Sequence, residues 1–114
     1  MKFPKSLRLL KSSDFSRVHK RGYKFVGEKI ILHYRLGPSD FPKLGLTVSR
    51  KFGKANLRNR FKRLVREAFR EKQQDLPPGL EVNIRPKFPN VDLSLALIKK
   101  EFDTLAQHVK RAAK

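Results

Sequence analysis

An α+β sandwich, a small mixed sheet covered by helices, is the fold this chain predicts, and three observations carry it. Helical apolar spacing recurs between Ser12 and Gly22, from Asn56 to Asp75, and from Asp92 to Val109. Strand-like alternation marks 28–36, 43–50 and 80–85. Turn residues separate these segments, above all Gly37-Pro38-Ser39-Asp40 and Pro77-Pro78-Gly79. The order is therefore α-β-β-β-α-β-α. With 114 residues and 39% hydrophobic content the chain can build one modest core. Residues 12–114 are expected to form a single domain behind a basic N-terminal arm, residues 1–11.

The arm carries Pro4 and reads as a loose segment that orders on a partner. In the first helix Ser12 or Ser13 is the cap, Asp14 sits in the first turn, Lys20 and Arg21 sit in the last, and Gly22 is a left-handed stop. Phe15, Val18 and His19 share one face. Glu28 to Leu36 alternates Ile30, Leu32, Tyr34 and Leu36 against Ile31, His33 and Arg35, and Tyr23 to Val26 adds a short edge strand. Lys43 to Arg50 points Leu44, Leu46 and Val48 to the core and Gly45, Thr47 and Ser49 away. Gly53 breaks this strand and Asn56 caps the next helix. Leu80, Val82 and Ile84 face inward on the last strand. Asp92 caps a final helix lined by Leu95, Ile98, Phe102, Leu105, Ala106 and Val109.

The helix that starts at Asn56 carries the strongest chemical signal. At about 100° per residue, Leu57, Phe61, Leu64, Val65, Ala68 and Phe69 fall on one face. Asn59, Lys62, Arg63, Arg66 and Arg70 fall opposite, with Arg58 and Arg60 at the boundary. A helix that buries one side and holds guanidinium groups on the other presents forked donors in a fixed array, which suits phosphate oxygens. The whole chain agrees, since 28 Lys and Arg against 10 Asp and Glu leave a formal charge of +18. A nucleic-acid partner follows more directly than a surface that merely happens to be basic, because acids are scarce where the motif lies. Self-repulsion on this scale opposes compactness, so anions or RNA are expected to stabilise the fold.

Other classes fit less well. No apolar run is long enough for a bilayer, and Met1 to Lys11 lacks a signal peptide's hydrophobic stretch, so a cytoplasmic protein with no membrane partner is expected. Zero cysteines exclude disulfides and thiolate metal sites. The ten acids are scattered. Glu67 and Glu71 share a helix face, but Arg63 and Arg70 are in pairing reach, which favours an ion-pair network over a metal site. His19, His33 and His108 lie on three elements, too dispersed for an acid–base pair. No catalytic residue and no metal held by the protein alone are expected. The sheet's second face, with Ile31, His33, Arg35, Thr47, Ser49, Asn83 and Arg85, is mixed and polar. Together with Phe15 and His19 it suits a groove for unstacked bases; the plainer alternative is that Phe15 and Val18 simply dock the first helix on the sheet.

Arg58-Asn59-Arg60, followed by Lys62-Arg63 and Arg66-Glu67, resembles the signature of the bacterial ribonuclease P protein subunit. Asp14-Phe15, the strand Leu44 to Lys51 running into Gly53-Lys54-Ala55, and Ile84-Arg85-Pro86 are similar to that family's other motifs in the same order, so the likeness covers roughly residues 6 to 110. The resemblance implies a sandwich like that of ribosomal protein S5 domain 2, with a left-handed strand–helix–strand crossover, against the usual rule. It also implies a protein that binds a large catalytic RNA and with it removes the 5′ leader of precursor tRNA. Lys51, Lys54, Arg58, Asn59, Arg60, Lys62, Arg63, Arg66 and Arg70 would then face the catalytic RNA. Phe15, His19, His33 or Tyr34, Thr47 and Ser49 would line the leader cleft. Mg²⁺ would be held mainly by RNA phosphates. Two positions differ from the family's habit: His19 stands where many relatives have a second aromatic ring, and alternation aims His33 rather than Tyr34 into the cleft. The competing readings are a structural RNA-binding protein of ribosomal type and, more remotely, a DNA binder, for which the helix offers few neutral base readers besides Asn59.

Overall fold

The computed structural model describes residues 12–38, 40–89 and 93–112, with side chains described from residue 16 to residue 110 within them. The arm at 1–11, the caps expected from Ser12, Ser13 and Asp92, and the side chains of Asp14 and Phe15 lie outside the described residues. The elements are α1 (Ser12–Arg21), β1 (Tyr23–Val26), β2 (Ile30–Leu36), β3 (Lys43–Leu46), α2 (Ala55–Lys72), β4 (Leu80–Pro86) and α3 (Leu95–Ala112). Short 3₁₀ turns at Arg50–Phe52 and Gln73–Asp75 bracket α2. This is the expected α-β-β-β-α-β-α order.

The sheet order is β1-β2-β4-β3. β1 and β2 form an antiparallel hairpin, β2 and β4 pair antiparallel with Leu32 opposite Ile84, and β3 and β4 run parallel with Leu44 beside Val82. A parallel neighbour needs a long crossover, and α2 supplies it. β4 is thereby central and buried on both faces. On one face Ile30, Leu32, Tyr34, Leu44, Leu80, Val82 and Ile84 pack against Phe61, Val65, Ala68 and Phe69 of α2 and Ile98, Phe102, Leu105 and Val109 of α3. Burying a side chain of this size stabilises by about 1.5–3 kcal/mol, so these two amphipathic helices carry most of the fold. Two ion pairs clamp them to each other, Lys72–Asp103 at 3.0 Å and Lys99–Glu71.

Several local expectations are corrected. Gly22 does not take positive φ; Gly53 and Gly79 do, and Gly79 at φ 83° makes the turn into β4. Gly22 matters for space instead, since a Cβ there would run into the carbonyl oxygens of Val18 and Tyr34. The second predicted strand stops at Leu46 rather than Arg50, although Thr47 N–H still donates to the Ile84 carbonyl at 3.0 Å. α2 begins at Ala55 after an extended Lys54, so Asn56 lies inside the helix and is not its cap. At α3 the Ser94 hydroxyl accepts from the Leu97 N–H at 3.2 Å, which fills a capping role. Leu36 and Leu57, both expected inward, sit at element ends beyond the core and are 51% and 39% exposed.

Candidate nucleic-acid interface

Two surfaces carry the candidate residues. The first is the outer side of α2. Burial of Phe61, Val65, Ala68 and Phe69 fixes the helix's rotation, which turns Asn59, Arg60, Arg63 and Arg70 into solvent and leaves Lys62 and Arg66 half-buried at the margins. Arg58 is also half-buried, and its Nε is enclosed by the fold, because position 58 follows the phase of the Phe61–Val65 stripe. Just before the helix, the buried Phe52 ring meets Phe61 with centroids 5.5 Å apart. This contact anchors the 3₁₀ turn and presents Lys51 and Lys54, both exposed, beside the first turn of α2. Phe52 is a residue that pattern reading missed, since a single aromatic in a loop has no period to mark it. The first turn of α2 holds no acid, so the positive end of the helix dipole adds to the basic field. Glu71 turns to Lys99 on α3, not to Arg63 or Arg70 as expected from helical spacing.

The second surface is the sheet face opposite α2 and α3. Here α1 lies over β2 and β4 and seats Val18 against the sheet. The His19 and His33 rings stack with centroids 4.1 Å apart and planes tilted by 36°. Behind them Asn83 is fully buried. Its Nδ2 lies 3.2 Å from His19 Nε2 and 3.1 Å from Thr47 Oγ1, and the Thr47 hydroxyl also reaches Asn83 Oδ1 at 3.2 Å. Arg85 Nε donates to His33 Nε2 at 3.4 Å. Burial, with His19, Arg85 and Lys24 adding positive potential, holds the His33 pKa down to about 4, so this ring is neutral near pH 7. Farther along, the buried Glu81 pairs with Arg35, Nε to Oε1 at 2.9 Å.

Of the cleft residues predicted, the structure brings His19, His33 and Thr47 together. Ser49 is exposed in the loop just beyond Thr47. Tyr34 does not belong to this face: it is 2% exposed, sits in the core and lies near His108 of α3, because alternation along β2 sends it opposite to His33. Alternation places Asn83 and Arg85 on this face but does not mark them as partners of the two histidines. Only the register, which pairs His33 with Asn83 and Gly45 with Asn83, reveals it. The two surfaces meet where β3 leads into α2, so Thr47 beside Asn83 and Lys51 beside the helix are joined by one short loop. Among the described residues no three His, Asp or Glu side chains converge as a metal site, and no helix is long and apolar enough to cross a membrane.

Fold and surfaces together define a class: small, strongly basic α+β sandwiches with a four-stranded mixed sheet, an arginine-studded crossover helix and a polar sheet face beside the first helix. The family model described as Ribonuclease P matches residues 3–110, and the chain belongs to that family. It is 47% identical over 87 residues to the ribonuclease P protein component of Chlamydia abortus, a match covering 74% of this chain and 60% of that protein's length. To the ribonuclease P protein component of Clostridioides difficile it is 32% identical over 108 residues, 94% of this chain and 95% of that one. The solved ribonuclease P protein from Thermotoga maritima superposes with a TM-score of 0.75 at 32% identity, covering 89% of this chain and 96% of that one.

Proposed function

We propose that this protein is the protein component of a ribonuclease P ribonucleoprotein, an endoribonuclease that binds precursor tRNA and removes its 5′ leader to generate the mature 5′ end. Family membership over 3–110 carries the reading, and the division of the surface supports it. The outer side of α2, with Lys51, Lys54, Arg58, Asn59, Arg60, Lys62, Arg63, Arg66 and Arg70, meets the phosphates of the catalytic RNA. His19, His33, Thr47 and Ser49 line the path of the single-stranded leader, where rings accept unstacked bases; the family resemblance adds Phe15 to this set. The protein supplies no catalytic group of its own. Glu81 on this sheet face is buried against Arg35 and so is not free to take Mg²⁺; the Mg²⁺ of the reaction is held mainly by RNA oxygens. Such a complex works in the cytoplasm, without membrane or DNA partners.

Cleavage of precursor tRNA by a bacterial ribonuclease P RNA at low Mg²⁺, with and without this protein and beside the protein alone, tests the proposal. Activity is expected only when RNA and protein are both present. Absence of rescue, with RNA binding intact, would move the assignment to a structural RNA-binding protein.

A further inference from the structure

The cleft holds a feature that leader binding does not by itself require. Both imidazoles are approached at Nε2 by a group that has only protons to offer: Asn83 Nδ2 at His19, 3.2 Å, and Arg85 Nε at His33, 3.4 Å. An Nε2 that accepts a hydrogen bond carries no proton, so these two contacts select the tautomer of each ring that has its hydrogen on Nδ1. Asn83 has no exposed surface and cannot itself touch a ligand. Its amide is held in turn by the Thr47 hydroxyl, which meets both Nδ2 and Oδ1. A fully buried amide placed between a loop hydroxyl and a ring on α1 acts through that ring.

From this arrangement we infer that Asn83 is a positioning residue for leader recognition: it fixes the tautomer and the tilt of His19 so that His19 and His33 together form a stacking surface for an unstacked base. The inference rests on the proposed function for its ligand but not for its geometry. Two neutral rings 4.1 Å apart can stack, whereas two imidazolium rings beside Arg85 and Lys24 would repel each other. Neutral planar rings accept a base face by stacking. Thr47 belongs to the same device, because its hydroxyl engages both polar atoms of the Asn83 amide and so holds it in place.

The test starts on the free protein. Imidazole ¹⁵N spectra near neutral pH are expected to show His19 with a protonated Nδ1 and a bare Nε2. In Asn83→Asp, whose carboxylate can only accept, the proton should move to Nε2. A wild-type His19 carrying its proton on Nε2 would overturn the inference whatever the RNA experiments give. In holoenzyme, Asn83→Asp should weaken binding of leader-bearing precursor relative to mature tRNA by about fivefold, as one lost hydrogen bond would. In a His19→Phe background, where the ring needs no amide to set it, Asn83→Leu should cause no further leader-dependent loss. Equal losses in both backgrounds, or equal losses for precursor and mature tRNA, would leave Asn83 as a packing residue only. Failure of low-Mg²⁺ rescue with the expected tautomer intact would instead count against the function and not against the geometry.

Discussion

The Glu101 carboxylate of α3 accepts the backbone N–H of Glu28 at 2.8 Å, which ties the last helix to the tip of the β1–β2 hairpin. Glu101 is buried, and Gly27 lies so close beneath it that a Cβ there would strike the carboxylate. Lys87 closes the same corner by donating to the Gly27 carbonyl at 3.3 Å. Glu101→Ala leaves a backbone N–H without its acceptor and should cost about 1–3 kcal/mol, while Glu101→Gln keeps an acceptor and should cost less than half as much. Urea denaturation of the two variants decides it: equal losses would mean that side-chain packing, not the hydrogen bond, matters at this position.

Arg35 and Glu81 predict an asymmetry. Their 2.9 Å pair joins a carboxylate that is 3% exposed to a guanidinium that is 17% exposed. Removing the guanidinium with Arg35→Met strands a buried negative charge, which costs about 3 kcal/mol or more. Glu81→Gln leaves Arg35 able to reach water and should cost clearly less. Thermal unfolding of both variants at one pH is sufficient, and a larger loss for Glu81→Gln would show that the pair's weight lies with the arginine.

His33 makes stability depend on pH. Its folded pKa is lowered to about 4 from 6.5 by burial and by His19, Arg85 and Lys24. Between these values the unfolded chain binds a proton that the folded chain refuses, so stability is fully present above 6.5 and falls as the pH drops towards 4. The full shift is worth about 3 kcal/mol; because the ring still meets solvent and salt screens its neighbours, roughly half of that is expected. His33→Gln should remove this share of the acid loss, seen as a smaller difference in urea midpoint between about pH 7 and about pH 4.5. Identical pH dependence in variant and wild type would place the acid sensitivity elsewhere.

Legibility in the sequence followed the range of the interactions. The Phe61–Val65–Phe69 stripe and the alternation of Leu80, Val82 and Ile84 are local periods, and both appear as read. The position of β4 between β2 and β3 is not local: it depends on pairings between residues some forty to fifty positions apart, such as Leu44 with Val82 and Leu32 with Ile84, and no period in the chain announces them. That central place is why Glu81 and Asn83, polar residues assigned by alternation to the open face or left unassigned, are buried. The His19–Asn83–Thr47 cluster joins three elements and became visible only with the register. Tyr34 carries two conflicting signals, the family's habit of aiming a ring at the leader and alternation along β2, and it is alternation that its place in the core follows.

The exposed guanidinium groups of α2 make the last prediction, on the salt dependence of RNA binding. If about six phosphates are neutralised, log affinity should fall against log salt with a slope of roughly −4 to −5. Arg60 and Arg63 reach solvent freely, so replacing either with Ala should flatten the slope by nearly one and weaken binding to all RNA sequences alike. Lys72 on the same helix is the control, since it is engaged with Asp103 of α3 on the core-facing side. Lys72→Ala should lower stability slightly and leave the slope unchanged. Titrations of the catalytic RNA across a salt series would separate the two groups: an unchanged slope for Arg60→Ala and Arg63→Ala would remove the outer face of α2 from the phosphate contacts, and a flattened slope for Lys72→Ala would extend the interface onto the side where α2 meets α3.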